Sequence, residues 1–171
     1  MNFLDAGPSL EIVALADVFE DRLQNCRQQL MDEKGAEVPD EMCFVGMESY
    51  QQVLEQEDIN YIILATPPYF RPQQFGAAVQ ARKHVFMEKP VAVDPVGARS
   101  IMDSADRADA FGLKVATGTQ RRHQREYVET FNRIMDGAIG QIVAARCYWN
   151  QGQLWYKERQ DERSDMEWMI R

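Results

Sequence analysis

With 171 residues, 45% of them hydrophobic and 27% charged, the chain has the size and composition of one ordinary globular domain. Its 27 acids against 19 bases leave a formal charge of −8, which argues against nucleic acid or an anionic membrane as the main partner. No run approaches the ~20 apolar residues of a membrane helix, no cationic start followed by an apolar run marks a signal peptide, and Cys26, Cys43 and Cys147 lack metal-ligand spacing.

Reduced cysteines and the lack of a signal give a cytoplasmic default, with no metal site expected. In chain order, "EIVALA" at 11–16 is apolar and rich in β-formers, and reads as a buried strand followed by Asp17. Residues 18–34 place Val18, Leu23, Cys26 and Leu30 at helical spacing, and Gly35 stops that helix. "CFV" at 43–45 is a short strand, and 49–56 a short helix with Ser49 as its cap. "YIILAT" at 61–66 is the clearest strand, ended by Pro67 and Pro68. A helix over 71–83 tolerates Pro72 in its first turn.

"HVFME" at 84–88 is the next strand, beginning with His84, which reads as a packing or surface residue. Asp94 then caps a helix with Pro95 at its first position, running to about Ala110 and broken by Gly112. "LKVATG" at 113–118 is a strand, Gln124 to Met135 a helix closed by Gly137, and "GQIVAARCYWN" at 140–150 a last strand. The charged tail after 150 shows no clean period. The aromatics Tyr148, Trp149, Trp155, Tyr156 and Trp168 read as sheet packing. Repeated alternation of strand and helix predicts an α/β fold with a mostly parallel, doubly wound sheet.

Ligands of such sheets bind beyond the carboxyl ends of the strands. There the chain places Asp17, then Thr66-Pro67-Pro68, then Glu88-Lys89-Pro90, then the run through Arg121, Arg122 and His123. An acid such as Asp17 either accepts hydrogen bonds from a nucleotide ribose, repelling a 2′-phosphate, or caps a helix. Lys89 is the leading candidate for acid–base chemistry, because Pro90 holds it extended and burial would lower its pKa. The plainer alternative is a solvated Glu88–Lys89 pair. Arg121 and Arg122 suit a carboxylate, phosphate or polyol, or lie idle on the surface. His123 is an acid–base candidate by residue type, although a lone histidine in a loop is more often not catalytic.

Taken together, "VALADVFEDR", "ILATPPYFR", "HVFMEKPVAVDPVGAR", "GTQRRHQREYVET" and "IMDGAIGQIVAARCYWNQG" resemble the glucose–fructose oxidoreductase / inositol dehydrogenase / MocA family over residues 9–157. The resemblance implies a Rossmann-type domain over 1–122, the start of a C-terminal substrate and oligomerisation domain over 123–171, and homo-oligomers in full-length members. It implies an NAD(P)-dependent oxidoreductase acting on a sugar, polyol or related small molecule. Asp17 favours NAD, with NADP less suited. In that reading Asp17, Thr66, Pro67, Glu88, Lys89 and Pro90 hold the cofactor, and Pro90 is cis in such motifs. Lys89 is the catalytic residue, and Lys89, Arg121, Arg122 and His123 face the substrate.

Two departures qualify this. The glycine-rich turn that seats a pyrophosphate on a helix N-terminus is missing, as is the strand before it. No downstream histidine or acid matches the family's partner to the lysine. The expectation is therefore a fragment that binds NAD poorly and turns over little, with apolar edges exposed on "EIVALA" and "YIILAT". The alternatives are an NAD-dependent glycoside hydrolase of the same superfamily and a non-catalytic interaction subunit.

Overall fold

A computed structural model describes residues 3–153 and 158–170. They fall into two compact units, Met1–Gly118 and Thr119–Arg171.

The first unit holds β1 (Leu15–Asp17), α1 (Glu20–Lys34), β2 (Cys43–Val45), α2 (Ser49–Leu54), β3 (Tyr61–Leu64), α3 (Arg71–Gln80), β4 (His84–Met87), α4 (Pro95–Ala110) and β5 (Val115–Thr117). Every strand pair is parallel. The strands form two sheets, β1-β2 and β3-β4-β5. Among the described residues neither β1 nor β3 has a second neighbour, so each has one open edge. The register is Tyr61 to His84 and Leu64 to Met87, then Val85 to Val115 and Met87 to Thr117. His84 helps to hold that register, since its Nδ1 accepts the Lys114 amide at 2.9 Å.

Several elements start and stop where the local chemistry demands. Gly35, at φ 64°, ends α1 in the left-handed conformation glycine allows, with its amide on the Met31 carbonyl at 2.9 Å. Asp94 caps α4 by accepting the Gly97 amide at 2.6 Å, and Pro95 occupies the first turn. Asp94→Ala should cost about 1 kcal/mol in a urea titration, and Asp94→Asn much less, because either an acid or an amide oxygen can accept that bond. Arg82 takes the left-handed conformation after α3 (φ 60°), its guanidinium stacked 3.2 Å from the Phe111 ring centroid.

Other expectations need correction. The first strand covers Leu15–Asp17 rather than 11–16, because its ladder to β2 is three residues long and, among the described residues, no strand pairs with its other edge. Ser49 is the first helical residue and makes no cap; Glu48 precedes it. Cys26 is exposed, and the buried stripe of α1 is Leu23 and Leu30. The strand predicted over 140–150 is absent, and those residues are exposed. A strand exists only through its ladder, and no described segment offers one there.

The core lies under α3. Ile62, Leu64, Val85 and Met87 from β3 and β4 pack with Phe75, Ala78 and Val79 of α3 and with Ala108 and Leu113. Strand residues alternate, with Ile62 and Leu64 inside and Ile63 42% exposed. Lys83 is buried beside this core, its Nζ donating to the Gln56 carbonyl at 2.7 Å.

The second unit contains α5 (Arg125–Met135) and α6 (Asp165–Ile170). Gly137 (φ 89°) follows α5, as the sequence suggested. Tyr148 and Trp149 are exposed rather than packed in a sheet, and Trp168 on α6 is half-buried. Trp155 and Tyr156 lie outside the described residues.

Candidate functional site

The carboxyl ends of β3 and β4 bring two turns side by side. After β3 the chain reverses through Thr66-Pro67-Pro68, where the Pro67 carbonyl accepts the Phe70 amide at 3.1 Å. After β4 it runs through Glu88, Lys89 and Pro90, with the Lys89–Pro90 peptide cis. The Glu88 amide still reaches back to the Leu64 carbonyl at 2.9 Å, extending the ladder one step beyond the strands.

Thr66 is half-buried and its hydroxyl donates to Gln74 Oε1 at 2.5 Å. Pro67 is exposed at the turn. Glu88 is half-buried, and its Oε2 accepts the Lys89 amide at 3.2 Å. The Glu88 carboxylate also rests on Gly118, where a Cβ would sit 2.5 Å from Oε2, so no other residue fits there without moving it. Lys89 and Pro90 are exposed. The low-dielectric surround that acid–base work requires is therefore not supplied to Lys89 by the residues around it.

Asp17 ends β1 and belongs to the other sheet. One carboxylate oxygen accepts the Phe19 amide at 2.9 Å, a local turn two residues long. The N-cap of α1 is Phe19, so Asp17 is not itself the cap residue. Its second oxygen takes no hydrogen bond among the described residues.

Arg121, Arg122 and His123 belong to the second unit, in and just after the 3-10 turn Gln120–Arg122, and all three are exposed. Arg121 lies 4.6 Å from the Trp149 ring centroid and 5.6 Å from that of Tyr127, a cation held over two aromatic faces.

Arg71, the first residue of α3, escaped the sequence reading. It is 4% exposed. One guanidinium nitrogen donates to the Pro90 carbonyl and the other to the Thr66 carbonyl at 2.6 Å, so a single side chain spans both turns. Its Nε has no hydrogen-bond partner among the described residues. Burial draws its pKa below the ordinary guanidinium value, while the nearby Glu88 charge acts in the opposite direction. A signal for it did exist. A cation in the first turn of a helix opposes the helix dipole, so its presence there asks for a compensating partner.

A family model described as an oxidoreductase family with an NAD-binding Rossmann fold, Gfo/Idh/MocA, matches residues 1–117. Myo-inositol 2-dehydrogenase of Thermotoga maritima is 25% identical over 129 residues, covering 75% of this chain and 34% of that protein. Inositol 2-dehydrogenase of Salmonella paratyphi B is 26% identical over 141 residues, covering 81% and 38%. The chain thus spans a little over a third of the length of these relatives. Scyllo-inositol dehydrogenase from Lactobacillus casei, solved with NAD(H) and scyllo-inositol, superposes with a TM-score of 0.59 at 25% identity, covering 75% of this chain and 34% of that one.

The residues present suit two parts of a dinucleotide. Among the described residues one Asp17 carboxylate oxygen takes no hydrogen bond, an acceptor of the kind that would fit ribose hydroxyls, and the paired turns leave Lys89 exposed at a strand end. No G-x-G-x-x-G turn for the pyrophosphate occurs among the 171 residues.

Proposed function

The chain belongs to the Gfo/Idh/MocA oxidoreductase family, and from that premise we propose that it carries the dinucleotide-binding part of an NAD(P)-dependent oxidoreductase acting on a sugar or polyol. The observation that supports this most directly is the pairing of the Thr66-Pro67 turn with the Glu88-Lys89-Pro90 turn at the carboxyl ends of adjacent parallel strands. That is where an open parallel sheet binds its ligand.

In this reading Asp17 accepts hydrogen bonds from the adenosine ribose and favours NAD over NADP, since its charge repels a 2′-phosphate. Thr66, Pro67, Glu88 and Pro90 wall the groove. When bound, the nicotinamide dinucleotide supplies the hydride acceptor. Lys89 takes the carbinol proton during oxidation and returns it during reduction. Closure over the substrate is then what desolvates Lys89, which the chain leaves exposed. Arg121, Arg122 and His123 supply donors for substrate hydroxyls, and residues 123–171 contribute to a substrate and oligomer-contacting domain.

The test is a calorimetric titration with NAD of this chain and of a version extended at its N-terminus by a strand and a glycine-rich turn. The extended chain should bind with about micromolar affinity and the chain itself at least about tenfold more weakly, the loss expected when the pyrophosphate has no helix N-terminus to sit on. If neither binds, the oxidoreductase reading falls and a non-catalytic interaction subunit takes its place.

A further inference from the structure

The geometry points to Arg71 as the positioning residue of this site: its guanidinium fixes the turn that carries Lys89 against the turn that carries Pro67. Three observations converge on it. Its two terminal nitrogens go to carbonyls of different turns, Thr66 and Pro90, which follow adjacent strands. Both acceptors are backbone atoms, so the contact governs where the chain runs and not merely where a side chain points. The guanidinium is 4% exposed and begins the helix whose Gln74 also holds the Thr66 hydroxyl, so α3 grips the first turn at two points.

Arginine suits this task. Its planar fork presents donors in fixed directions, whereas a lysine ammonium is a point charge without that geometry. Hydrogen bonds with one charged member are stronger than neutral ones, and here they hold irregular backbone that no ladder secures. Among the described residues the Glu88–Pro90 segment is held by the ladder contact of the Glu88 amide, by the local bond from the Lys89 amide to Glu88 Oε2, and by this contact to Arg71. Arg71 touches neither cofactor nor substrate in this account; it acts through Lys89, Pro90 and Pro67. The functional half of the inference rests on reading this face as the dinucleotide site.

The experiment compares the full chain with Arg71→Met, which keeps the apolar stem, and Arg71→Lys, which keeps the charge. Amide hydrogen exchange should quicken about tenfold over residues 65–70 and 88–93 in Arg71→Met, while amides of β3, β4 and α4 stay as they were. Arg71→Lys should restore part of the protection. NAD binding should weaken about tenfold in Arg71→Met, the loss of charge-assisted hydrogen bonds, with AMP binding unchanged because AMP engages the Asp17 end. Unchanged exchange, or exchange that rises evenly across Met1–Gly118, would overturn the clamp and leave Arg71 an ordinary fold residue. Loosened turns with NAD and AMP affected alike would overturn the positioning role. The two binding titrations are made in the chain extended at its N-terminus by a strand and a glycine-rich turn; if that chain without the Arg71 change binds neither ligand, the dinucleotide reading fails, and the exchange pattern alone decides the clamp.

Discussion

Phe75→Ala should lower the stability of the first unit by about 3–5 kcal/mol, the range found when a buried aromatic is cut back to a methyl group. Phe75 is fully buried and the largest such side chain, seated on α3 against β3 and β4. Small domains are stable by only about 5–15 kcal/mol in total. A unit whose strands divide into two sheets, each with an open edge, belongs at the lower end. The variant is therefore expected to be substantially unfolded at 37 °C, seen by circular dichroism and urea titration. Tyr69→Ala, at a residue 70% exposed on the neighbouring turn, should change stability by less than about 0.5 kcal/mol. A cost below about 1 kcal/mol for Phe75→Ala would mean that α3 is not packed on β3 and β4 as described.

Lys89→Met should behave in the opposite way. Lys89 is exposed, so folding stability should move by less than about 0.5 kcal/mol. If the proposed oxidoreductase reading holds, turnover of a polyol by the N-terminally extended chain should fall about 10²–10⁴-fold, the span expected when a positioned proton-transfer group is removed. NAD affinity should change far less, because removing a group that acts mainly in the transition state lowers kcat without a matching loss of binding. Steady-state kinetics beside calorimetry separates the two. Activity retained within about threefold would remove Lys89 from the chemistry and shift attention to His123. This result and that for Phe75 are independent, since one residue is exposed at a turn and the other is buried in the core.

The strands and helices of the first unit were legible because their signals are local. Asp94 and Pro95 start α4 and Gly35 ends α1 through bonds within a few residues, so sequence spacing suffices to find them. The same holds for the apolar run at Tyr61–Leu64 and for His84–Met87. What failed was whatever depended on a partner. The run at 11–16 has strand composition, yet of it only Leu15 and Ala16, with Asp17 after them, form a ladder with Cys43–Val45. Residues 140–150 alternate like a strand and pair with nothing described. Sequence can state that a segment suits a sheet; only a neighbour makes it one.

For the site the division is similar. The sequence by itself determined the residue types at each strand end and their order, so Asp17, Thr66-Pro67 and Glu88-Lys89-Pro90 could be named together. Tertiary structure alone decided that the turns after β3 and β4 lie against one another and that the buried Arg71 joins them. It also left Lys89 exposed and set the Glu88 carboxylate on Gly118. The physical reason is range. Caps and turns are written in contacts two to four residues apart, whereas Arg71 meets the Pro90 carbonyl across 19 residues and Glu88 meets Gly118 across a strand register. Such contacts follow from the packing of α3 and the alignment of β4 with β5, which no local pattern encodes.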